Sequence, residues 1–331
     1  MTEEYGITTL TRRCLRASRK ILCPIHRPAT SDTIARHPEV THETESQPNN
    51  PWNLERISPD HATNDGSSPC HDDETERSGA YVYVIDSGIH FSHTEFSGRA
   101  SHGVNFVPMS PHYDEVGHGT QMAGIIGGTT YGLAKDCTMI SVKVVYKMGR
   151  GKAEWLPQAI EWATNDAIAK GVAEKSVMNM SLGWRYSAVI NNAVKKATNA
   201  GITVVVSAGN EGKPASTCSP ASASTAITVA ASGPDNRRAP FSNYGLRVDI
   251  FAPGIKVPTV PSLIDDGPLY SSGTSPAAAY VSGLAAHFIS SENLRGYKAV
   301  RKRIMRASLN GVIKDTRWSR NRLASDGLTR G

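Results

Sequence analysis

From position 80 onward the chain alternates short apolar runs with longer segments of helical periodicity, and this alternation constrains the fold more than any other feature. Several of the runs are apolar at consecutive positions, as expected for strands that are buried on both faces. Strands that alternate with helices predict an α/β fold with a mainly parallel sheet and right-handed crossovers. The predicted strands are Tyr81–Asp86, Met139–Val145, Ser176–Leu182, Ile202–Ala208, Ala226–Ala230 and Val248–Phe251, and the predicted helices are Gly119–Ile126, Ala153–Lys170, Ser187–Asn199, Pro276–Ile289 and Leu294–Arg306.

The net charge of +6 comes from one stretch near the carboxyl terminus rather than from the whole chain. Residues 295–331 contain eleven Lys and Arg against two Asp, so this stretch carries +9 and leaves −3 on residues 1–294. A basic stretch of this kind is compatible with binding to nucleic acid or to another acidic surface. No aromatic-interleaved groove or known nucleic-acid motif accompanies it, so we do not expect nucleic acid as a partner.

The first 46 residues are polar and have no sustained strand or helix period, so we expect them to be disordered. Residues 1–16 contain no apolar stretch of the kind found in secretory signals. The longest weakly polar run, residues 277–289, is well short of the roughly 20 residues that a membrane span needs, so no membrane association is expected. Five cysteines without CxxC spacing disfavour both a disulfide framework and a zinc ribbon.

Three short segments place reactive side chains where an α/β sheet delivers them, at strand ends and helix starts. Asp86 ends a predicted strand, where a carboxylate can hold an imidazole in one tautomer, although Asp-Ser-Gly is also an ordinary turn. His118 stands between glycines at a helix start, where it is either catalytic or a satisfied helix-terminal residue. Ser275 begins an Ala-rich helix whose amino-terminal dipole favours negative charge, although Ser followed by Pro is also a common helix start.

Together the three residues are more specific than any one of them. They follow in the order Asp86, His118, Ser275, with gaps of 32 and 157 residues, and this is one of the known chain orders of a Ser-His-Asp triad. With the segments around them, these residues closely resemble the subtilisin-like serine peptidases, and within them the fungal proteinase K-like group. The resemblance covers position 51 to the carboxyl terminus and is carried by Pro51-Trp-Asn-Leu-Glu-Arg-Ile-Ser58, Val82-Tyr-Val-Ile-Asp-Ser-Gly-Ile89, His93-Thr-Glu-Phe-Ser-Gly-Arg-Ala100, Gly117-His-Gly-Thr120, Tyr131-Gly-Leu-Ala-Lys135, Ser181-Leu-Gly183, Ser207-Ala-Gly-Asn210, Phe241-Ser-Asn-Tyr-Gly245 and Ser272-Gly-Thr-Ser275.

The resemblance implies a fold and a reaction. The implied fold is the three-layer subtilisin-like α/β fold, with a mainly parallel central sheet and helices on both faces, formed by residues 47–331 as the catalytic domain. The implied reaction is hydrolysis of peptide bonds by a serine endopeptidase through an acyl-enzyme intermediate. By this resemblance Ser275 is the nucleophile, His118 is the general base, and Asp86 orients and stabilises His118.

The resemblance also implies binding residues around this triad. Asn210 matches the amide of the oxyanion hole, where the backbone N–H of Ser275 is the second donor. Two segments match the lining of the primary specificity pocket, in which glycines leave room for a large apolar or aromatic P1 side chain. They are Ser181-Leu182-Gly183 and Ser207-Ala208-Gly209.

No cofactor is needed for the implied chemistry, but a structural calcium ion is an expectation at Asp249. This residue matches a calcium-ligand Asp of the proteinase K group, and a surface carboxylate without an ion is the alternative. The expected partners are polypeptide substrates, and the expected state is a monomer. Secretion is what the resemblance implies, although the sequence shows no signal peptide, so the compartment stays open.

Several positions depart from the family pattern. Pro276 follows the nucleophile where the family usually has Met. Proline is well tolerated at the first position of a helix, but it biases the preceding residue, Ser275, away from the helical region, which would displace the hydroxyl if the serine of the family is helical. Gln121 and Met122 replace the usual His and Val, and Tyr81 stands where the group often has a disulfide cysteine. Residues 1–46 are either a truncated propeptide or unrelated. The alternative function is therefore a catalytically impaired pseudoprotease that binds peptides in the cleft.

Overall fold

The computed structural model describes residues 33–35, 79–146, 149–261 and 269–327. The helices in these ranges are α1 (His118–Gly127), α2 (Trp155–Ala169), α3 (Ala188–Asn199), α4 (Thr274–Ser291) and α5 (Tyr297–Ala307). The strands are β1 (Thr33–Ala35), β2 (Tyr81–Asp86), β3 (Ala100–Asn105), β4 (Thr138–Lys143), β5 (Arg150–Lys152), β6 (Ser176–Met180), β7 (Trp184–Arg185), β8 (Thr203–Ser207), β9 (Cys218–Ser219), β10 (Ile227–Ser232), β11 (Ile250–Pro253), β12 (Val257–Thr259), β13 (Leu269–Ser271), β14 (Leu309–Asn310) and β15 (Arg322–Leu323).

A nine-stranded sheet with the order β14-β15-β11-β10-β8-β6-β2-β4-β3 forms the centre of the described chain. Its neighbouring strands run parallel, except that β14 and β15 are antiparallel. From β2 the chain passes to β3 and β4 on one side and then to β6, β8 and β10 on the other. The carboxyl end of β2 is thus near a topological switch point, where α/β folds bind their ligands.

Helices cover both faces of this sheet. Successive side chains of β2 point to opposite faces: Val82 and Val84 belong to the apolar cluster that includes residues of α1, α4 and α5, whereas Tyr83 and Ile85 belong to the cluster that includes residues of α2 and α3. All four side chains are fully buried, which explains why this strand is apolar at consecutive positions. The predicted three-layer α/β fold with a mainly parallel central sheet is confirmed.

Every predicted strand and helix is present, with ends that match or differ by one to three residues. Helix α5 begins at Tyr297 rather than at Leu294, because Gly296 precedes it with a φ of 77° that is not helical. Edge strand β3 was not predicted, since its exposed Ser101 and His102 interrupt the apolar pattern.

Some predictions fall outside the described residues. The segment predicted to be disordered, residues 1–46, lies outside them except for residues 33–35, which form β1. The motif Pro51–Ser58 also lies outside them. Cys137 and Cys218 lie within the described ranges and are free thiols. In the described part of the chain, no helix combines the length and the apolar character that a membrane crossing requires.

Candidate active site

The predicted triad residues lie at one edge of the sheet, where neighbouring parallel strands end and two helices begin. Asp86 is the last residue of β2, and Ser181 directly follows the adjacent strand β6. His118 is the first residue of α1, and Ser275 is the second residue of α4. All of these side chains are buried. The carboxyl edge of the sheet therefore collects the groups that the sequence distributes over nearly 200 positions.

A short hydrogen bond joins Asp86 to His118. The distance from Nδ1 of His118 to Oδ1 of Asp86 is 2.6 Å, and each residue is 1% exposed. Oδ1 of Asp86 also accepts a hydrogen bond of 2.7 Å from the backbone N–H of Ser87. A carboxylate at Nδ1 holds the proton on that nitrogen, so Nε2 is the nitrogen that can accept a proton from a nucleophile.

Asp114, which the sequence analysis missed, fixes the start of α1. Its Oδ1 accepts from the backbone N–H groups of Val116 (2.9 Å) and Gly117 (2.8 Å). Its Oδ2 accepts from the backbone N–H (2.9 Å) and the hydroxyl (2.7 Å) of Thr120. A buried carboxylate at this place accepts hydrogen bonds from N–H groups that have no acceptor within the helix, and its negative charge interacts favourably with the positive end of the helix dipole. It thereby fixes the helical turn that carries His118.

Lys143, at the end of β4, holds the loop that precedes His118. Its side chain is fully buried beside Asp86 in the sheet register. The ammonium group donates to the carbonyl oxygens of Pro111 (3.0 Å) and Tyr113 (2.8 Å) and to Oε2 of Glu115 (3.3 Å). A buried ammonium group is tolerated only when such partners compensate for its lost hydration. Lys143 therefore ties this loop to the strand next to the one that carries Asp86.

Gly119 allows α1 to approach the end of β2 closely. A Cβ on Gly119 would stand 2.1 Å from the carbonyl oxygen of Gly88 and 3.2 Å from Cβ of Asp86. The N–H of Gly119 donates to the hydroxyl of buried Ser87 at 2.9 Å. The glycine after the histidine is therefore required for the close contact between α1 and β2.

Ser275 lies inside the first turn of α4. Its hydroxyl donates to the carbonyl oxygen of Ser181 at 3.2 Å, and the hydroxyl of Ser181 donates to the carbonyl oxygen of Ser275 at 3.1 Å. The expectation that Pro276 keeps Ser275 out of the helix is wrong, because α4 begins at Thr274 and Pro276 is its third residue. The first N–H groups of a helix have no helical acceptor, so proline costs no hydrogen bond here.

Asn210 is anchored to the start of α4. Its Oδ1 accepts from the backbone N–H (2.9 Å) and the hydroxyl (2.8 Å) of Thr274. A Cβ on Gly273, whose φ is 152°, would stand 3.1 Å from Nδ2 of Asn210 and 3.6 Å from the backbone nitrogen of Ser275. Both nitrogens thus border one small space, which stays open because residue 273 is glycine.

The two segments predicted to line the specificity pocket follow adjacent strands. Ser181-Leu182-Gly183 follows β6, and Ser207-Ala208-Gly209 spans the end of β8, so both leave the sheet at the edge that carries the triad. Their residues are buried. Gly209 has a φ of 108°, a left-handed conformation that favours glycine.

The surroundings of Asp249 do not fit a calcium ion. Its Oδ1 accepts from the guanidinium groups of Arg301 (2.8 Å) and Arg320 (2.6 Å), and Oδ2 accepts from the backbone N–H of Thr228 (3.2 Å). Calcium needs six to eight oxygen ligands, whereas two cationic groups occupy this carboxylate. Within the described ranges, no group of three or more His, Cys, Asp or Glu is arranged to hold a metal. The expectation of calcium at Asp249 is therefore not supported.

The cysteines in the described ranges do not compete with Ser275 as nucleophiles. Burial raises the pKa of the Cys137 thiol to about 12 and that of the Cys218 thiol to about 11. The nucleophilic form of cysteine is the thiolate, which is scarce at neutral pH for thiols with such pKa values. The chemistry that the site supports is that of an activated serine.

Known proteins similar to this chain agree with that chemistry. The subtilase family model, peptidase S8, matches residues 77–327. Alkaline protease 1 of Aspergillus clavatus is 41% identical over 310 residues, which cover 91% of this chain and 76% of that protein. Subtilisin-like protease 2 of Pseudogymnoascus destructans is 42% identical over 276 residues, which cover 83% and 67%. The crystal structure of a cold adapted subtilisin-like serine proteinase matches with a TM-score of 0.72 and 30% identity, covering 86% of this chain and all of that one. Sequence, fold and site chemistry agree that the chain belongs to the subtilase family of serine endopeptidases.

Proposed function

We propose that this serine endopeptidase cleaves peptide bonds through a triad of Asp86, His118 and Ser275. The observation that carries the proposal is the buried 2.6 Å hydrogen bond between Asp86 and His118, at the sheet edge where Ser275 lies in the first turn of α4. The carboxylate stabilises the imidazolium ion that forms when His118 takes a proton.

The reaction runs in two stages. The Ser275 hydroxyl turns from the carbonyl of Ser181 to Nε2 of His118 and transfers its proton to that nitrogen while its oxygen attacks the scissile carbonyl carbon. The negative oxygen of the tetrahedral intermediate is bound by Nδ2 of Asn210 and the N–H of Ser275. His118 then protonates the leaving amine, and an acyl-enzyme on Ser275 remains. Water, deprotonated by His118, hydrolyses this ester and restores the free serine.

A large apolar or aromatic P1 residue is the proposed preference. The proposal rests on the resemblance, in which Ser181-Leu182-Gly183 and Ser207-Ala208-Gly209 line the primary specificity pocket, and on the position of both segments at the ends of adjacent strands β6 and β8, beside the triad. Peptide p-nitroanilides that differ only at P1 test this preference, and we expect Phe and Leu to give higher kcat/KM than Lys and Glu. Equal or reversed rates would contradict it.

The nucleophile is tested with a fluorophosphonate probe. Wild-type protein should be labelled and should hydrolyse a peptide substrate, and Ser275→Ala should lose both properties. Ser291→Ala is the matched control, because it removes an exposed hydroxyl from the same helix α4. Absence of labelling in folded wild-type protein would refute the proposal. Peptide binding without turnover would instead support the pseudoprotease that binds peptides in its cleft.

The remaining proposals concern the oligomeric state and the location of the enzyme. Subtilase catalysis needs no cofactor, and its substrates are polypeptides. We propose that the enzyme acts as a monomer and is secreted. Light scattering of the protein as it elutes from a size-exclusion column measures its oligomeric state. Detection of the protein in the culture supernatant tests its secretion.

A further inference from the structure

The loop that carries Asn210, residues 208–214, is bonded to two different parts of the chain. At one side Asn210 bonds to Thr274 at the start of α4. At the other side the loop runs along residues 241–245, to which it is joined by backbone hydrogen bonds. Pro214 and Tyr244 form a parallel bridge within this contact. The loop is therefore held between α4 and a segment to which the proposed mechanism assigns no role.

Asn243 makes most of the side-chain bonds on that second side. Its Nδ2 donates to the carbonyl oxygen of Ala208 (2.9 Å) and to Oε2 of Glu211 (2.7 Å). Its Oδ1 accepts from the backbone N–H groups of Glu211 (3.2 Å) and Lys213 (2.8 Å). Its own backbone N–H donates to the carbonyl oxygen of Gly209 at 2.8 Å. The fully buried amide thus bonds to the loop on both sides of Asn210.

The loop turn and Asn243 are fitted to each other. A Cβ on Gly209 would stand 2.2 Å from Nδ2 of Asn243 and 2.7 Å from Oε2 of Glu211, so only glycine admits these side chains. Nδ2 also contacts Sγ of Cys218 at 3.7 Å, so the two hydrogens of the amide and its oxygen are fully used. A side chain with this many bonds to one loop restricts the places that the loop can occupy.

We propose that Asn243 is a positioning residue that, with Glu211, sets the place of Asn210 and of the Ala208–Gly209 pocket wall. This inference rests on the proposed function, in which Nδ2 of Asn210 stabilises the oxyanion. Oxyanion stabilisation depends on donors that are in place before the reaction, and an error of 1 Å costs about 100-fold in rate. Asn243 therefore acts on kcat through Asn210.

The decisive experiment is a double-mutant cycle in kcat. Asn243→Asp keeps the shape of the side chain but replaces its donor nitrogen with an oxygen that faces the carbonyl of Ala208 and the carboxylate of Glu211. We expect a loss of about 10-fold to 100-fold in kcat, against about 100-fold to 1,000-fold for Asn210→Ala. In the Asn210→Ala background, Asn243→Asp should cost less than about threefold, because coupled residues are not additive. Full additivity, or an unchanged kcat in the single variant, would overturn the proposal.

Two further variants keep the test decisive if Asn243→Asp unfolds. Glu211→Ala removes one acceptor from an exposed position, and we expect a fall in kcat that disappears in the Asn210→Ala background. Adding Glu211→Gln to Asn243→Asp restores the hydrogen bond between the two side chains with the roles exchanged, since the amide of residue 211 now donates to the carboxylate of residue 243. We therefore expect kcat to recover in part. An effect of Glu211→Ala on kcat that persists without the Asn210 amide would contradict the inference.

A matched control separates positioning from general stability. Asn321 also uses both ends of its side-chain amide on the backbone of one residue. Its Oδ1 accepts from the N–H of Ile313 at 2.8 Å, and its Nδ2 donates to the carbonyl oxygen of Ile313 at 2.9 Å. Asn321→Asp should lower the melting temperature without a selective loss of kcat. If wild type and Asn321→Asp are active and the Asn243 variants have the same kcat, the positioning role of Asn243 is refuted while the proposed function stands. If Ser275→Ala remains active, the proposed function itself fails.

Discussion

Calcium should not stabilise this enzyme through Asp249, even though the resemblance to the proteinase K group implies a calcium ligand at this position. Asp249 is 5% exposed, and its carboxylate already accepts hydrogen bonds from Arg301 and Arg320. An incoming calcium ion would have to displace both guanidinium groups or lie beside them. We expect the two arginines to supply the positive charge that a metal ion would supply elsewhere.

The expected magnitudes make this prediction decisive. A site with a dissociation constant of about 1 μM would add about 4.1 kcal/mol of stability at about 1 mM calcium. For a domain of this size that corresponds to a rise of about 8–16 °C in Tm. Because the side chains of Arg301 and Arg320 are 31% and 49% exposed, solvent screening limits each ion pair to about 0.2–1 kcal/mol. Asp249→Asn should therefore lower Tm by only about 1–8 °C, with or without calcium.

The assay is thermal unfolding of the Ser275→Ala protein, which cannot digest itself, with about 1 mM calcium or with excess EDTA. We expect the same difference between these two conditions in the parent and in Asp249→Asn. A calcium-dependent rise in Tm that Asp249→Asn abolishes would refute the reasoning. A calcium-dependent rise in Tm that persists in Asp249→Asn would show that calcium binds at another site and not at Asp249.

Three further predictions concern the helix starts and the buried thiol. Asp114→Ala should lower the free energy of unfolding by about 1–2 kcal/mol and kcat/KM by at least about 10-fold, because four hydrogen bonds at the turn of His118 are lost; an unchanged kcat/KM would contradict this role. Pro276→Met should leave kcat within about threefold, since an N–H in the first turn of α4 gains no helical acceptor, and a much larger increase would show that Pro276 impairs the site. The folded-state pKa of Cys137, about 12, lies above its unfolded value of about 9, so its contribution to stability is present below pH 9 and is lost as pH rises towards 12. Cys137→Ala should flatten this alkaline decline by up to about 1.4 kcal/mol per pH unit, as measured by denaturant unfolding, whereas parallel curves would exclude the thiol.

The central layers of the fold were predictable because burial leaves a local trace in the sequence. Strand β2 is buried on both faces, so its apolar run gives the observed bounds, Tyr81–Asp86. Edge strand β3 leaves a weaker trace, since Ser101 and His102 face solvent. The two-residue strands β14 and β15 leave none, because their pairing depends on residues 14 and 12 positions apart that meet only in the folded chain.

The reactive groups of the site were predictable for a different reason. Asp86, His118 and Ser275 lie in short motifs whose glycines are needed locally, such as Gly119 against Gly88. The role expected for Asp249 was not supported, because its partners Arg301 and Arg320 are 52 and 71 positions away. The basic carboxyl-terminal stretch therefore contributes internal ion pairs, which a count of charges along the chain does not reveal.

Asp114, Lys143 and Asn243 show why the supports of an active site escape sequence analysis. Each is a fully buried polar side chain that binds mainly backbone groups, either of the segment that leads into His118 or of the loop that carries Asn210. Loops that leave the carboxyl edge have no neighbouring strand to satisfy their N–H and C=O groups, so buried side chains must do so. Every residue except proline offers the same backbone groups, so such a contact has no recognisable partner type in the sequence. Motifs consequently identify the atoms that react, whereas only the folded chain identifies the side chains that keep those atoms in place.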